Sequence, residues 1–141
     1  WPRGIQGQPG RLAHDPGHLI DIMATCADAA GAKYPAEFAG RKITPLEGKS
    51  LLPVLQKGRR EGHSEIYFEH EGNRAVRQGK WKLVSRHPGA WELYDLEADR
   101  TEMNNLASSQ PAKARELLAK YEAWAERSHV APWEMVTGKK G

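Results

Sequence analysis

Glycine and proline set the tightest limit on what this chain can build. Residues 1 to 17 carry four Gly and three Pro, a density that breaks regular elements and marks a surface connection. Residues 31 to 63 hold Pro35, Gly40, Pro45, Gly48, Pro53, Gly58 and Gly62. Regular structure fits there only in short pieces, such as a helical turn at Ser50 to Gln56. Between these stretches Leu19, Ile22, Met23, Cys26 and Ala30 recur at three- and four-residue steps, the period of one buried helical face. The spacing predicts a helix over 17–30, with Asp15 and Pro16 at its cap and first turn and Gly31 at its stop.

From Ser64 the character changes. Ile66 and Phe68 alternate with Glu65, Tyr67 and Glu69, which predicts a strand with alternate side chains on one face. Asn73 to Arg77 and Lys80 to Ser85 flank Gln78-Gly79, a loop suited to a tight hairpin. Pro88-Gly89 turns the chain again before Trp91, Leu93 and Asp95 alternate with Glu92, Tyr94 and Leu96. A four-stranded meander over 64–97 follows. Ala114, Leu117, Leu118, Tyr121, Trp124 and Ala125 then mark one face of a helix over 110–127, entered through Pro111, that covers the sheet. On its outer face Glu116 and Lys120 stand in the order that favours an ion pair of ~0.2–0.5 kcal/mol. The tail, which ends in Gly138-Lys139-Lys140-Gly141, is expected to fray. The expected fold class is α+β: a four-stranded antiparallel sheet packed by a C-terminal helix.

Length and charge exclude several classes. At 141 residues the chain has room for one small domain and not for a large two-domain enzyme. Its net charge of +3 comes from interspersed charges of both signs, so nucleic acid is not an expected partner. A mean hydropathy of -0.71, with no long apolar run, argues against a membrane span. The one Cys cannot close an internal disulfide. Trp1 opens the chain with neither Met nor a leader pattern before it, the look of a piece of a longer polypeptide.

Few constellations suggest chemistry. His14, Asp15, His18, Asp21 and Cys26 are the densest set of metal-ligand types, but the spacing matches no metal signature. A cap, a solvated face and an apolar Cys explain them. Gly48-Lys49-Ser50 resembles the end of a phosphate loop but lacks the earlier Gly, since position 43 is Ile. The segment Glu69-His70-Glu71-Gly72-Asn73-Arg74 gathers acidic, imidazole, amide and guanidinium groups at a strand turn, where binding groups concentrate. His70 and Arg74 suit an anionic oxygen or a sugar hydroxyl, and a solvated tip with Arg74 paired to Glu69 or Glu71 suits the same residues. Trp81, Trp91 and Tyr94 are expected to pack beneath the helix rather than to stack on a ligand.

Taken in order, Trp1-Pro2-Arg3-Gly4-Ile5, His18 to Thr25, Pro45 to Leu51, Asn73 to Leu83 and Glu92-Leu93-Tyr94-Asp95-Leu96 with Asp99, Glu102, Asn104, Asn105 and Leu106 resemble the C-terminal part of an arylsulfatase. The family is that of type I sulfatases, within the alkaline-phosphatase-like superfamily, and the resemblance runs from residue 1 to about 133. It implies that residues 1–52 are the last strand and helix of a large α/β domain and that 53–141 form the small subdomain. It also implies a parent that hydrolyses sulfate esters, with a calcium ion and a formylglycine made from a Cys/Ser-x-Pro-x-Arg segment. That segment is missing: Cys26 is followed by Ala27-Asp28-Ala29-Ala30, and Ser109-Gln110-Pro111-Ala112-Lys113 has Lys where Arg belongs.

The chain alone is thus expected to be inactive, with no catalytic or metal residue of its own. Its expected role is to wall the substrate cleft, with His70, Asn73 and Arg74 as substrate-binding residues. The expected partners are the absent N-terminal sulfatase domain, the parent's sulfate ester and, through exposed apolar surface, a second copy. The resemblance further implies a periplasmic or secreted parent. Rival readings are a stand-alone binding module for sulfated glycans and a fragment of a phosphodiester or phosphonate ester hydrolase.

Overall fold

The computed structural model describes residues 3–6 and 10–138. The chain divides into two compact units, Trp1–His63 and Ser64–Gly141. The sequence-expected boundary at 52/53 cuts into α2 (Leu52–Lys57), which lies in the first unit.

The first unit holds α1 (Asp21–Ala29), a two-residue hairpin β1 (Glu37–Phe38) and β2 (Arg41–Lys42), and α2. Of the strand expected at the opening, residues 1 and 2 lie outside the described residues, and Arg3 and Gly4 form a turn. The first helix is shorter than 17–30. Ile20 stands at its N-cap with no side-chain cap, and Asp15 accepts from the Arg60 backbone N–H at 3.3 Å instead of capping. Its end is as expected: Gly31, at φ +65, follows the last turn and donates to the Asp28 carbonyl.

The apolar stripe of α1 departs most from expectation. Leu19, Ile22 and Met23 are 78%, 56% and 59% exposed, and Cys26 is exposed as well. The residue this helix buries completely is Asp21. Periodicity reports which face is apolar, not whether a partner covers it.

The second unit is a meander of β3 (Ile66–His70), β4 (Asn73–Gln78), β5 (Trp81–Ser85) and β6 (Glu92–Asp95), antiparallel in sequence order, followed by α3 (Pro111–Arg127) and the short α4 (Trp133–Thr137). Tyr67, Val76, Leu83 and Leu93 lie side by side across the four strands. Val76, Leu83 and Leu93 are fully buried with Leu117 and Tyr121 of α3. Trp81 and Trp91 pack against this core as expected, and Tyr67 stacks on Trp124 at 5.1 Å. The alternation expected for β3 is modified: Ile66 is buried, but Phe68 on the same face is 46% exposed, while Tyr67 turns toward the helix. Tyr94 is buried on the face opposite Leu93, where its hydroxyl donates to Glu92. Burial pushes that phenol up to about 12, with the Glu92 carboxylate adding to the effect.

Pro111 begins α3 and Gln110 is its N-cap, without a side-chain cap. The expected Glu116–Lys120 pair gives way to two others. Lys120 reaches Glu65 at 2.6 Å and Glu116 takes Lys113 at 2.8 Å, because a partner on the sheet can outcompete a solvated neighbour on the same helix. The tail after Arg127 does not simply fray. Val130 N–H donates to the Ala125 carbonyl and α4 follows; residues 139–141 lie outside the described residues.

Candidate functional site

The β3–β4 hairpin is sharply folded. Glu71 and Gly72 both have positive φ, +52 and +80, as two-residue hairpin turns require. A Cβ at Gly72 would also lie 2.8 Å from the His87 ring and 3.0 Å from Trp133 Cβ. The turn is held from both sides: Gly72 N–H donates to Glu69 Oε1 at 3.0 Å, and Asn73 Nδ2 donates to the His70 carbonyl at 2.9 Å. Asn73 Oδ1 accepts from the His87 backbone N–H at 3.2 Å.

The three expected substrate-binding residues are thereby separated. His70 and Asn73 pair across the hairpin and are both exposed. Arg74, next along β4, points to the other face, beneath α3. Its guanidinium lies over the Trp91 ring at 4.8 Å and donates to Ser85 Oγ at 3.3 Å, rather than bridging Glu69 or Glu71. Arg74 Nε is buried and has no hydrogen-bond partner.

A cavity of about 320 Å³ opens at this end of the sheet, lined among others by Glu69, Arg74, His87, Tyr121, Trp133 and Glu134. Sequence reasoning missed Tyr121 and His87 as site residues. Tyr121 sits on the helical apolar stripe and reads as core, and His87 belongs to the turn that crosses the hairpin end. The Tyr121 hydroxyl, like Arg74 Nε, is buried with no partner. Burial raises the Tyr121 pKa, nearby Arg74 opposes that shift and Glu69 reinforces it, so the phenol stays protonated at neutral pH.

The first unit contains a second polar cluster. Asp21 Oδ2 accepts from Arg60 Nη2 at 2.7 Å and from the His18 N–H at 3.0 Å; Oδ1 accepts from the Lys49 N–H at 2.8 Å and lies 2.6 Å from His63 Nε2. Burial alone would raise this carboxyl, but the donors from Arg60, His63 and the two backbone amides outweigh it and hold Asp21 well below the usual carboxylate range. Lys49, of the Gly48-Lys49-Ser50 segment that lacks the earlier phosphate-loop Gly, sends its Nζ to the Gly62 carbonyl at 2.7 Å. Gly48 lies against the Ile20 carbonyl, which a Cβ would approach to 2.0 Å. This cluster ties α1 to residues 48–63. Among the described residues no group of three His, Cys, Asp or Glu is placed to hold a metal ion.

Comparison with solved structures first defines the class of domain. The fold matches the Ps i-CgsB crystal structure with a TM-score of 0.66 at 22% identity, over 89% of this chain and 27% of that one. It matches a protein solved in complex with its substrate D-glucosamine-2-N,6-O-disulfate with a TM-score of 0.59 at 25% identity, over 81% of this chain and 25% of that one. The chain belongs to the family described as N-sulphoglucosamine sulphohydrolase, C-terminal, whose sequence model matches residues 1–126. It is therefore a sulfatase C-terminal domain, as its motifs implied. Relatives include an uncharacterized sulfatase of Schizosaccharomyces pombe, 32% identical over 71% of this chain and 19% of the relative. Another is a delta 4,5-hexuronate-2-O-sulfatase of Bacteroides thetaiotaomicron, 33% identical over 74% and 22%. The chain spans about a fifth of the length of these curated relatives.

Proposed function

We propose that this chain is the C-terminal portion of a sulfuric ester hydrolase and that it contributes scaffold and substrate-cleft wall rather than the reacting groups. The family match over residues 1–126 carries the reading. The exposed apolar side chains of α1 support a covering domain elsewhere in the polypeptide. The residues present do not fit calcium or formylglycine. Among the described residues no three His, Cys, Asp or Glu are grouped to hold a metal ion, Cys26 lacks the Pro and Arg of the modified segment, and Ser109 donates to the Leu106 carbonyl in front of α3. In this reading calcium and formylglycine are supplied by the rest of the proposed enzyme, whose expected location is periplasmic or secreted.

In this reading His70 and Asn73, on the open end of the β3–β4 hairpin, help select the group attached to sulfate, and Arg74 contributes from the opposite face of β4. Replacing His70 and Asn73 together by Ala in the full-length enzyme is expected to raise KM about tenfold for some sulfate esters and not for others, the loss of one or two hydrogen bonds to substrate. Unchanged kinetics across a panel of esters would remove the cleft role. The 141-residue chain alone is expected not to hydrolyse 4-nitrophenyl sulfate; sustained turnover by rigorously purified chain would overturn the scaffold reading. A phosphonate monoester hydrolase also matches the fold, at 22% identity, which shows shared architecture alone. Relatives above 30% identity carry sulfatase names.

A further inference from the structure

The cavity beneath α3 has a chemistry of its own. Its polar lining combines the Arg74 guanidinium and the Tyr121 hydroxyl with the carboxylates of Glu69, Glu122 and Glu134. Carboxylates outnumber the permanent cation, so a sulfate or phosphate group would meet a net negative wall. Two of its lining residues each carry a buried atom, Arg74 Nε and Tyr121 Oη, that lacks any partner, and such atoms cost free energy until something satisfies them. A ligand hydroxyl suits both: its oxygen accepts from Arg74 Nε–H and Tyr121 O–H while its own proton goes to a carboxylate such as Glu69. Several carboxylates call for several hydroxyls on one ligand.

The remaining lining is apolar. Ala125, Val130, Pro132 and Trp133 supply it, a surface fit for the C–H face of a ring. The volume of about 320 Å³ falls at the lower end of small-molecule sites, about 300–1,000 Å³.

We propose that the cavity bounded by the β3–β4 hairpin, the C-terminal turns of α3 and α4 binds an uncharged pyranose unit, with Arg74, Tyr121 and Glu69 as hydroxyl ligands and Trp133 as the apolar wall. The proposal assigns Arg74 a ligand within the sulfatase reading above and leaves His70 and Asn73, on the other face of the sheet, untouched. Arg74 Nε and Tyr121 Oη are closed to bulk water. Entry of a hydroxyl therefore requires a small rotation of the side chains over them, and the affinity is expected to be millimolar.

The test is a titration of the 141-residue chain with methyl β-D-glucopyranoside, followed by amide and indole N–H chemical shifts. Saturable shifts are expected at Gly72 and at the Trp133 indole, with affinity about tenfold lower in Tyr121→Phe, which removes one hydrogen bond and keeps the ring. Trp133→Ala, in the apolar lining of the cavity, serves as a second variant should Tyr121→Phe fail to fold, and is also expected to weaken binding. The proposal is overturned by absence of saturable shifts at these residues, by equal affinity in the variants, by equally strong binding of glycerol, which has no ring face, or by preference for glucose 6-sulfate over the neutral pyranoside. Any of these results leaves the family assignment and the kinetic test of His70 and Asn73 standing, because neither depends on this cavity.

Discussion

Asp21 shows how much a single residue can depend on what the rest of the chain brings to it. On the sequence it is one more polar group near the start of a helix. In the folded unit it is fully buried and surrounded by donors from residues 18, 49, 60 and 63. Asp21→Asn leaves Arg60, whose side chain is only 2% exposed, as an unbalanced buried cation. The expected loss is about 3–5 kcal/mol, read by urea unfolding. Because the folded pKa of Asp21 lies below its unfolded value, its stabilisation is fully present above the unfolded value of about 3.9 and is lost as pH falls below it toward the folded pKa. Stability attributable to this group should therefore be flat above about pH 5 and decline in acid. The acid-dependent part should shrink in the Asn variant; an unchanged acid profile would show that the cluster does not form. Gly48→Ala tests the same region, since its Cβ meets backbone at the Ile20 carbonyl. A loss of about 1–3 kcal/mol is expected from overpacking, read as a lowered unfolding midpoint.

At the scale of elements, the four strands and α3 are held by one row of side chains across the sheet and one stripe along the helix. Leu117 sits at their junction, fully buried. Leu117→Ala is expected to cost about 2–5 kcal/mol through lost burial and the cavity left behind, measured by thermal or denaturant unfolding. A loss below about 1 kcal/mol would mean that α3 is not docked as described. These elements were legible because alternation and helical spacing coincide with burial where both partners lie in the same unit: the expected strands begin and end within a few residues of those observed, and all six predicted stripe residues, Leu117 included, belong to or pack against the one core. The α1 stripe was equally periodic and misleading, because among the described residues nothing covers Leu19, Ile22 or Met23. The short α4 was missed because a five-residue helix gives too little period to read.

The whole molecule carries the consequence of that uncovered stripe. If Leu19, Ile22 and Met23 are left in water as they stand, the isolated chain is expected to self-associate with rising concentration, and Ile22→Glu with Met23→Glu should shift it toward monomer in sedimentation velocity. A monomer at all concentrations, unaltered by the charges, would refute this. The ordered motifs sufficed for the family and for the α+β meander with its helix, because local periodicity and turn residues specify which segments pair and which face is apolar. Arg74 and Asn73 are adjacent letters, yet strand alternation and register send one under α3 and the other to the open hairpin end. Alternation alone puts the two on opposite faces; only tertiary structure decides which face α3 covers, gathers Arg60 and His63 around Asp21, and gives the core aromatic Tyr121 a place in the lining of a cavity. Each depends on groups far apart along the chain meeting in a low-dielectric interior, and no local pattern of residues records which distant side chains will be there.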